Sequence, residues 1–381
     1  MIRYFTAGET HGPCLTAIVE GMPSGVRIDI EKINDALARR QKGYGRGGRM
    51  LIEKDKAEIL SGVRGGYTLG SPITLRIENR DWKNWQEIMG AEHSNGERAV
   101  RCPRPGHADL SGGMKYAHED LRNVLERASA RETAARVAVG ALVRQALEPF
   151  GVQFLSRVVR IGRVEDNAPS LDEDFYKRVS ESEVSFGDAE KEAEAKAYID
   201  EVKAMGQTVG GVVETVITGL PAGLGSYVQY DRKLDARLAF AAMSVQAIKG
   251  VEIGMGFGVS ETEGAKVHDE IIYDGEFHRT SNNAGGIEGG MTNGEPVIIR
   301  AAMKPIPTQY SPLRTVDLND KTEKPASVER SDICAVPACS VVIEMVTSFE
   351  ITKAFLEKFG NDCMDDIKAA YDNYIDRISR Y

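Results

Sequence analysis

The 381-residue chain has little cysteine and tryptophan, five of the first and two of the second, and no CxxC pair. An odd set of unpaired-looking thiols (Cys14, Cys102, Cys334, Cys339, Cys363) predicts free cysteines in a reducing compartment, the cytoplasm. Neither the Cys nor the His spacing supplies a zinc ligand set, so no metal is expected. No run of eighteen apolar residues occurs, which predicts no membrane span. The opening MIRYFTAGETHG lacks a basic head followed by an apolar stretch, so no secretory leader is expected. Excess positive charge is also missing: the formal net charge is −9. That disfavours a general nucleic-acid surface, which needs cations to neutralise phosphates. What remains, 42% hydrophobic and 28% charged residues, is the make-up of a globular protein long enough for one large domain or two average ones.

Against that acidic background, residues 104–140 stand out. They begin as a loop broken by Pro105, Gly106, Gly112 and Gly113 around His107. From about Asp120 the apolar residues Leu121, Val124, Leu125, Ala128, Ala135, Val139 and Leu142 recur at steps of three and four, which predicts an amphipathic helix. Glu126, Arg127, Ser129, Arg131, Glu132 and Thr133 are packed into it between alanines. This is either an anion-handling site, where guanidiniums and a hydroxyl converge, or a solvated helix face with i,i+4 ion pairs.

A second cationic stretch, residues 39–49, sets Arg39, Arg40, Lys42, Arg46 and Arg49 among Gly43, Gly45, Gly47 and Gly48. Peptide N–H groups and guanidiniums on such a backbone suit a phosphorylated small molecule. The competing reading is a short RNA-binding loop. Upstream, His11 sits between Thr10 and Gly12 at the end of a predicted strand, where it serves either packing or chemistry. Residues 78–100, with Trp82 and Trp85, read as a surface excursion. A helix is predicted from Leu234 to Lys249, carrying Gln246 and Ala247 near its end. Lys304-Pro305-Ile306-Pro307-Thr308 forms a rigid turn, and Arg330 and Asp332 would share a side of an extended segment.

Two stretches recur in the same order. Gly21-Met22-Pro23-Ser24-Gly25 matches Gly219-Leu220-Pro221-Ala222-Gly223, and the run from Gly65 to Arg76 matches that from Gly289 to Arg300 at identical spacing. This is either an internal duplication, with halves near 1–150 and 205–340, or a coincidence among glycine-rich turns. An acidic connection with a charged helix spans 165–205, and helices at 340–381 close a single domain over 1–381.

The chain resembles the chorismate synthase family through GETHG at 8–12, RRQKGYGRGGRM at 39–50, RPGHAD at 104–109 and ERASARETAARVAVGA at 126–141. QAIKGVEIG at 246–254, NNAGGIEGG at 282–290, KPIPT at 304–308 and RSDICAVP at 330–337 follow in family order. Departures are Thr10 where the family usually has Ser, Ala128 where many members have Ser, and Ser331 where many have His. The resemblance implies an α+β fold: a β-α-β sandwich with helices packed between two antiparallel sheets, which agrees with the duplication. It implies a lyase of the shikimate pathway that converts 5-enolpyruvylshikimate 3-phosphate to chorismate and phosphate. This 1,4-elimination requires reduced FMN as an electron lender, without net redox change. His11 would protonate the departing phosphate, His107 would assist the flavin's protonation state, and Asp332 would relay the proton from flavin N5. Arg40, Arg46, Arg49 and Arg104 would clamp the substrate, Arg40 and Arg46 also meeting NADPH in members that reduce their own flavin. FMN would contact Arg127, Ala128, Ser129, Gln246, Ala247, Gly289, Lys304, Pro305, Ile306, Pro307, Thr308 and Arg330. A homotetramer is implied, and the lack of an extra domain points to a separate flavin reductase. Two readings compete: a conventional FMN oxidoreductase, which would consume reductant with turnover, and an RNA-binding protein acting through residues 39–49.

Overall fold

The computed structural model describes residues 1–48, 53–168, 173–329 and 331–381 of the chain. Alternation builds the first sheet from β1 (Arg3–Ala7), β2 (Cys14–Glu20), β3 (Ala57–Ile59) and β4 (Ile73–Glu78), ordered β1-β2-β4-β3 and antiparallel throughout. Leu15, Ala17 and Val19 on β2 and Ile73, Leu75 and Ile77 on β4 form its buried face. Their neighbours along each strand turn the other way, as a period of two requires. The second sheet has β5 (Gln153–Ile161), β6 (Val164–Glu165), β7 (Gly211–Thr218), β8 (Ile248–Ile253) and β9 (Val297–Met303), ordered β8-β9-β7-β5-β6 and also antiparallel.

Helices fill the space beside these faces. They are α1 (Ile30–Gln41), α2 (Asp109–Tyr116), α3 (Arg122–Ala128), α4 (Thr133–Val143), α5 (Ala189–Ala204), α6 (Leu234–Met243), α7 (Val336–Phe359) and α8 (Met364–Ile378). The sequence of α4, TAARVAVGALV, is apolar nearly all round, and every residue in it is buried, as expected of a helix enclosed on all sides. It lies on β2 and β4, α7 lies on β5 and β7, and the two helices pack against each other. Gly140 lets them meet closely: a Cβ there would come within 2.2 Å of the Met345 carbonyl oxygen. Buried charge also ties this layer together. Glu344 on α7 accepts from Arg39 (2.6 Å) and Arg144 (2.7 Å). Burial alone would raise its carboxyl, but Arg39, Arg144 and Ser156 bring it down to about 2.

The matched turns make matching hydrogen bonds. Thr68 donates through Oγ1 to the Pro23 carbonyl at 2.6 Å and Thr292 to the Pro221 carbonyl at 2.7 Å. Each hydroxyl accepts in turn from a backbone N–H, that of Val26 or Leu224. The C-terminal segment touches both turns, through Met364 N–H to Ser24 O and Tyr374 Oη to Ala222 O.

Three expectations are corrected. The helix expected from Asp120 onward is two helices, because Ser129 is extended (φ −70°, ψ 152°) and its hydroxyl accepts from Arg131 N–H; a serine that caps ends one helix and starts the next. The helix expected over 234–249 stops at Met243, and Ile248–Ile253 pairs instead with β9, where β-branched Val251 and Ile253 fit a pleated surface. Residues 78–100 are not a surface excursion throughout. Trp85 is 5% exposed and packs under the site described next.

Candidate active site

A cavity of about 1300 Å³ opens where the β1–β2 turn, α1, the loop before α2, the α3–α4 junction and the start of α7 converge. Of the residues singled out in the sequence, it is lined by His11, His107, Asp332, Arg40, Arg46, Arg104, Ala128 and Ser129. Gln246, Ala247, Lys304, Ile306, Pro307 and Thr308 line it from the second half. Arg127, Gly289 and Pro305 do not: Arg127 donates to the carbonyls of Thr6 and Gly8, and Gly289 lies between the short strands Ile287–Glu288 and Met291–Thr292. Arg49 and Arg330 fall outside the described residues.

Each imidazole in the cavity rests on a buried carboxylate. Nδ1 of His107 is 2.6 Å from Asp109 Oδ1. Asp109 is fully buried and also takes Arg104 Nε at 2.8 Å. Burial alone would raise Asp109; the hydrogen bonds from His107 and Arg104 outweigh it and hold the carboxyl well below the ordinary range. Nδ1 of His11 is 2.8 Å from Glu126 Oε1, and Glu126 also takes Arg122 Nη1 at 3.1 Å. The His11 ring stacks on Trp85, centroids 3.7 Å apart at 19°, and Arg98, which has a positive φ of 57°, holds its guanidinium over the same indole. Trp85 is fixed from beneath by Nε1 donating to Asp81 at 3.0 Å.

The glycine-arginine stretch folds inward. Gly47 N–H donates to Asp332 Oδ1 at 2.6 Å, and Arg46 Nε lies 3.2 Å from Oδ2. Glycine is required for this approach, since a Cβ on Gly47 would sit 2.7 Å from the Ser331 carbonyl oxygen. Arg40 is buried, donating to Thr133 Oγ1 (3.0 Å) and the Ala130 carbonyl (2.9 Å) beside Asp55. Burial, opposed by Asp55 and reinforced by the like charges of Arg131 and Arg46, brings it down to about 10, so it stays a cation at neutral pH. Cations so enclosed form the wall of a small-molecule site and not the open basic surface that RNA requires. Asn79 joins this wall to the first histidine: its oxygen accepts from Arg131 at 2.7 Å and its amide donates to the Gly12 carbonyl at 2.8 Å.

On the far wall, Lys304 donates to the Gly106 carbonyl, and burial, with Lys249 nearby, lowers its ammonium. Thr308 accepts from Arg104 Nη1 at 3.0 Å, so the Pro-fixed turn 304–308 holds the His107 loop. Gln246 Nε2 donates to Glu132 at 3.2 Å. This fixes the amide's orientation and leaves Oε1 buried with no hydrogen-bond partner among the described residues. An acceptor in that state beside Ala128, Ala130 and Ala247, none of which crowds the wall, fits the edge of a flat hydrogen-bonding ring. Cys339 also lines the cavity, but burial pushes its thiol up to about 12, so it supplies no thiolate. Among the described residues no group of His, Cys, Asp and Glu could hold a metal ion.

Sequence reasoning gave no role to Glu126, Asp109, Trp85, Arg98 or Arg122. Asp109 was within reach, two residues from His107. Glu126 and Trp85 meet His11 only through the fold.

Comparison with known proteins agrees with this geometry. The family model described as chorismate synthase matches residues 2–356. A chorismate synthase of Geobacter metallireducens is 57% identical over 393 residues, covering 100% of both chains. One from Desulforamulus reducens is 57% identical over 375 residues, covering 97% of each. A crystal structure of a chorismate synthase superposes with a TM-score of 0.81 at 44% identity, covering 100% of this chain and 99% of that one. With whole-length likeness in sequence and in fold, the chain belongs to the chorismate synthase family.

Proposed function

We propose that the protein converts 5-enolpyruvylshikimate 3-phosphate to chorismate and inorganic phosphate by 1,4-elimination, making it a carbon–oxygen lyase of aromatic amino acid biosynthesis. The observation that carries this is the arrangement of His11 and His107, each backed by a buried carboxylate, in one cavity walled by Arg40, Arg46 and Asp332. The C–O bond to phosphate and a C–H bond both break, so the site must neutralise a leaving dianion and take up a proton. Arg40 and Arg46, with Arg49 assigned to the same clamp, grip the anionic groups. His11 hands a proton to the departing phosphate, and Asp332, between Gly47 N–H and Arg46, would receive or relay the proton that comes off flavin N5. Arg104, whose donors go to Asp109, Thr308 and His107, helps the clamp by holding His107.

Reduced FMN, when bound, supplies an electron that lets an unactivated carbon lose hydrogen without a strong base. The groups that would hold it are Ala128, Ser129, the Gln246 Oε1 acceptor, Ala247, Lys304 and Ile306 to Thr308; Arg127, Gly289 and Pro305, which do not line this cavity, and Arg330 are assigned to the same ligand on the family resemblance alone. His107 governs the protonation of its ring. The flavin is reduced elsewhere, by a separate reductase, with NADPH as the ultimate reductant; Arg40 and Arg46 are the residues NADPH would meet in a self-reducing member. We further assign the two halves to a duplication, supported by the paired threonine hydrogen bonds, and the active form to a cytoplasmic homotetramer. Exposed Phe240, Phe257 and Tyr273 support association, and no helix among the described residues is long and apolar enough to cross a membrane. The test is anaerobic turnover with photoreduced FMN. Many phosphates released per reducing equivalent are expected, and one-for-one consumption of reductant would make it a conventional flavin oxidoreductase.

A further inference from the structure

Glu126 holds the turn that carries His11 at several points. Its Oε1 lies 2.8 Å from His11 Nδ1 and its Oε2 2.8 Å from the His11 backbone nitrogen. Its carbonyl accepts from both Thr10 N–H (2.9 Å) and Thr10 Oγ1 (2.8 Å). A carboxylate only accepts, so both His11 nitrogens facing it must donate. Burial alone would raise the Glu126 carboxyl, but the His11 hydrogen bonds and Arg122 keep it below the ordinary range, so it remains an acceptor at neutral pH. The ring plane is fixed separately, by Trp85.

We propose that Glu126 is the positioning residue of the elimination: it keeps a proton on Nδ1 of His11 and so makes Nε2 the nitrogen that exchanges a proton with the substrate's phosphate. In the step itself the Nε2–H bond of the imidazolium breaks and a phosphate O–H bond forms. The neutral ring that is left keeps its Nδ1–H on Glu126, which takes no proton. This rests on the role given to His11 above. It goes further by naming the residue that sets the tautomer.

The substitution Glu126→Gln gives an unusually sharp test. The backbone N–H of His11 can only donate, so it takes the single amide oxygen, while Arg122 Nη1, also a pure donor, gives up its 3.1 Å contact at the other position and keeps Glu329 through Nη2. The amide NH2 then faces Nδ1, which must accept, and the neutral ring moves its proton to Nε2. The experiment is ¹⁵N NMR of imidazole-labelled protein at a pH where His11 is neutral, assigned with His11→Asn, alongside steady-state kinetics. Wild type is expected to carry the proton on Nδ1. Glu126→Gln is expected to carry it on Nε2 and to lose on the order of 10²-fold in kcat, with KM and flavin affinity nearly unchanged. Glu126→Asp should restore the Nδ1 tautomer and part of kcat. A wild-type ring protonated on Nε2 overturns the proposal whether or not any variant folds, as does a Glu126→Gln enzyme with wild-type kcat. A Glu126→Gln enzyme that loses kcat with its tautomer unchanged also overturns it, because Glu126 would then be acting only as a tether. Full activity in His11→Ala would instead remove the role of His11 itself.

Discussion

The two histidines of the cavity are built alike and supported differently. His107 takes its carboxylate from two residues away, at the first residue of α2, and its loop is strapped by Arg104 and by Lys304 and Thr308 of the opposite wall. His11 takes its carboxylate from a helix 115 positions away, and its ring lies on an indole. The first unit is a local motif whose integrity depends on buried charge. The second is a junction between the β1–β2 turn and α3, and its integrity depends on the whole first half being folded. The lesson is that the same imidazole–carboxylate chemistry can be carried by a short motif or by tertiary structure, with different consequences when it is disturbed.

The largest expected effect tests whether both units act on one reaction. His11→Ala and His107→Ala should each lower kcat by roughly 10²- to 10⁴-fold while still binding flavin; wild-type rates in either variant would break the comparison. Next, Asp109→Asn should cost both rate and stability. It strips the buried Arg104 of its counter-charge, a change worth about 3–5 kcal/mol and readable as a drop in Tm. Glu126→Gln should spare most of that stability, because Arg122 keeps Glu329 at 3.0 Å. Equal losses of Tm in the two variants would erase the distinction between them.

The same contrast has a pH signature. The folded Asp109 carboxyl lies below its ordinary value of 3.8, so the unfolded chain binds the proton more readily. The stability it contributes is therefore present above that ordinary value and lost as pH falls through the lower folded one. Acid unfolding of Asp109→Asn should accordingly be flatter than that of wild type below about pH 4, measured by far-UV circular dichroism. Arg46→Ala should raise substrate KM by roughly 10- to 100-fold with the bound-flavin spectrum unchanged, and an unaltered KM would count against the clamp. Smallest of all, Trp85→Phe keeps a ring under His11 and loses only the bond to Asp81, costing about 1 kcal/mol and a few-fold in kcat.

How much could be read from the chain follows the same line. RPGHAD carries both members of the His107 pair within three positions, and the alternating and helical periods gave the strands and helices that hold the cavity. His11 was visible as a histidine in a glycine-flanked turn, but nothing local linked it to Glu126, which looked like one more charge on a helix face. Trp85 was misjudged because its neighbours are polar; the only local hint was Asp81 four residues earlier, placed to accept from the indole. The glycines of 43–48 suggested a phosphate cradle, and at least Gly47 is there so that the loop can press against residues 331–332. Close backbone approach and anion binding use the same residue type, so composition does not separate them.

The most direct measurement is a crystal structure with FMN and the phosphorylated substrate bound together. The account predicts the isoalloxazine ring between His107 and the 246–247 and 304–308 walls, with the substrate's phosphate within hydrogen-bond reach of His11 Nε2 and Arg46. A flavin bound away from both imidazoles, or a phosphate facing only solvent and His107, would contradict it.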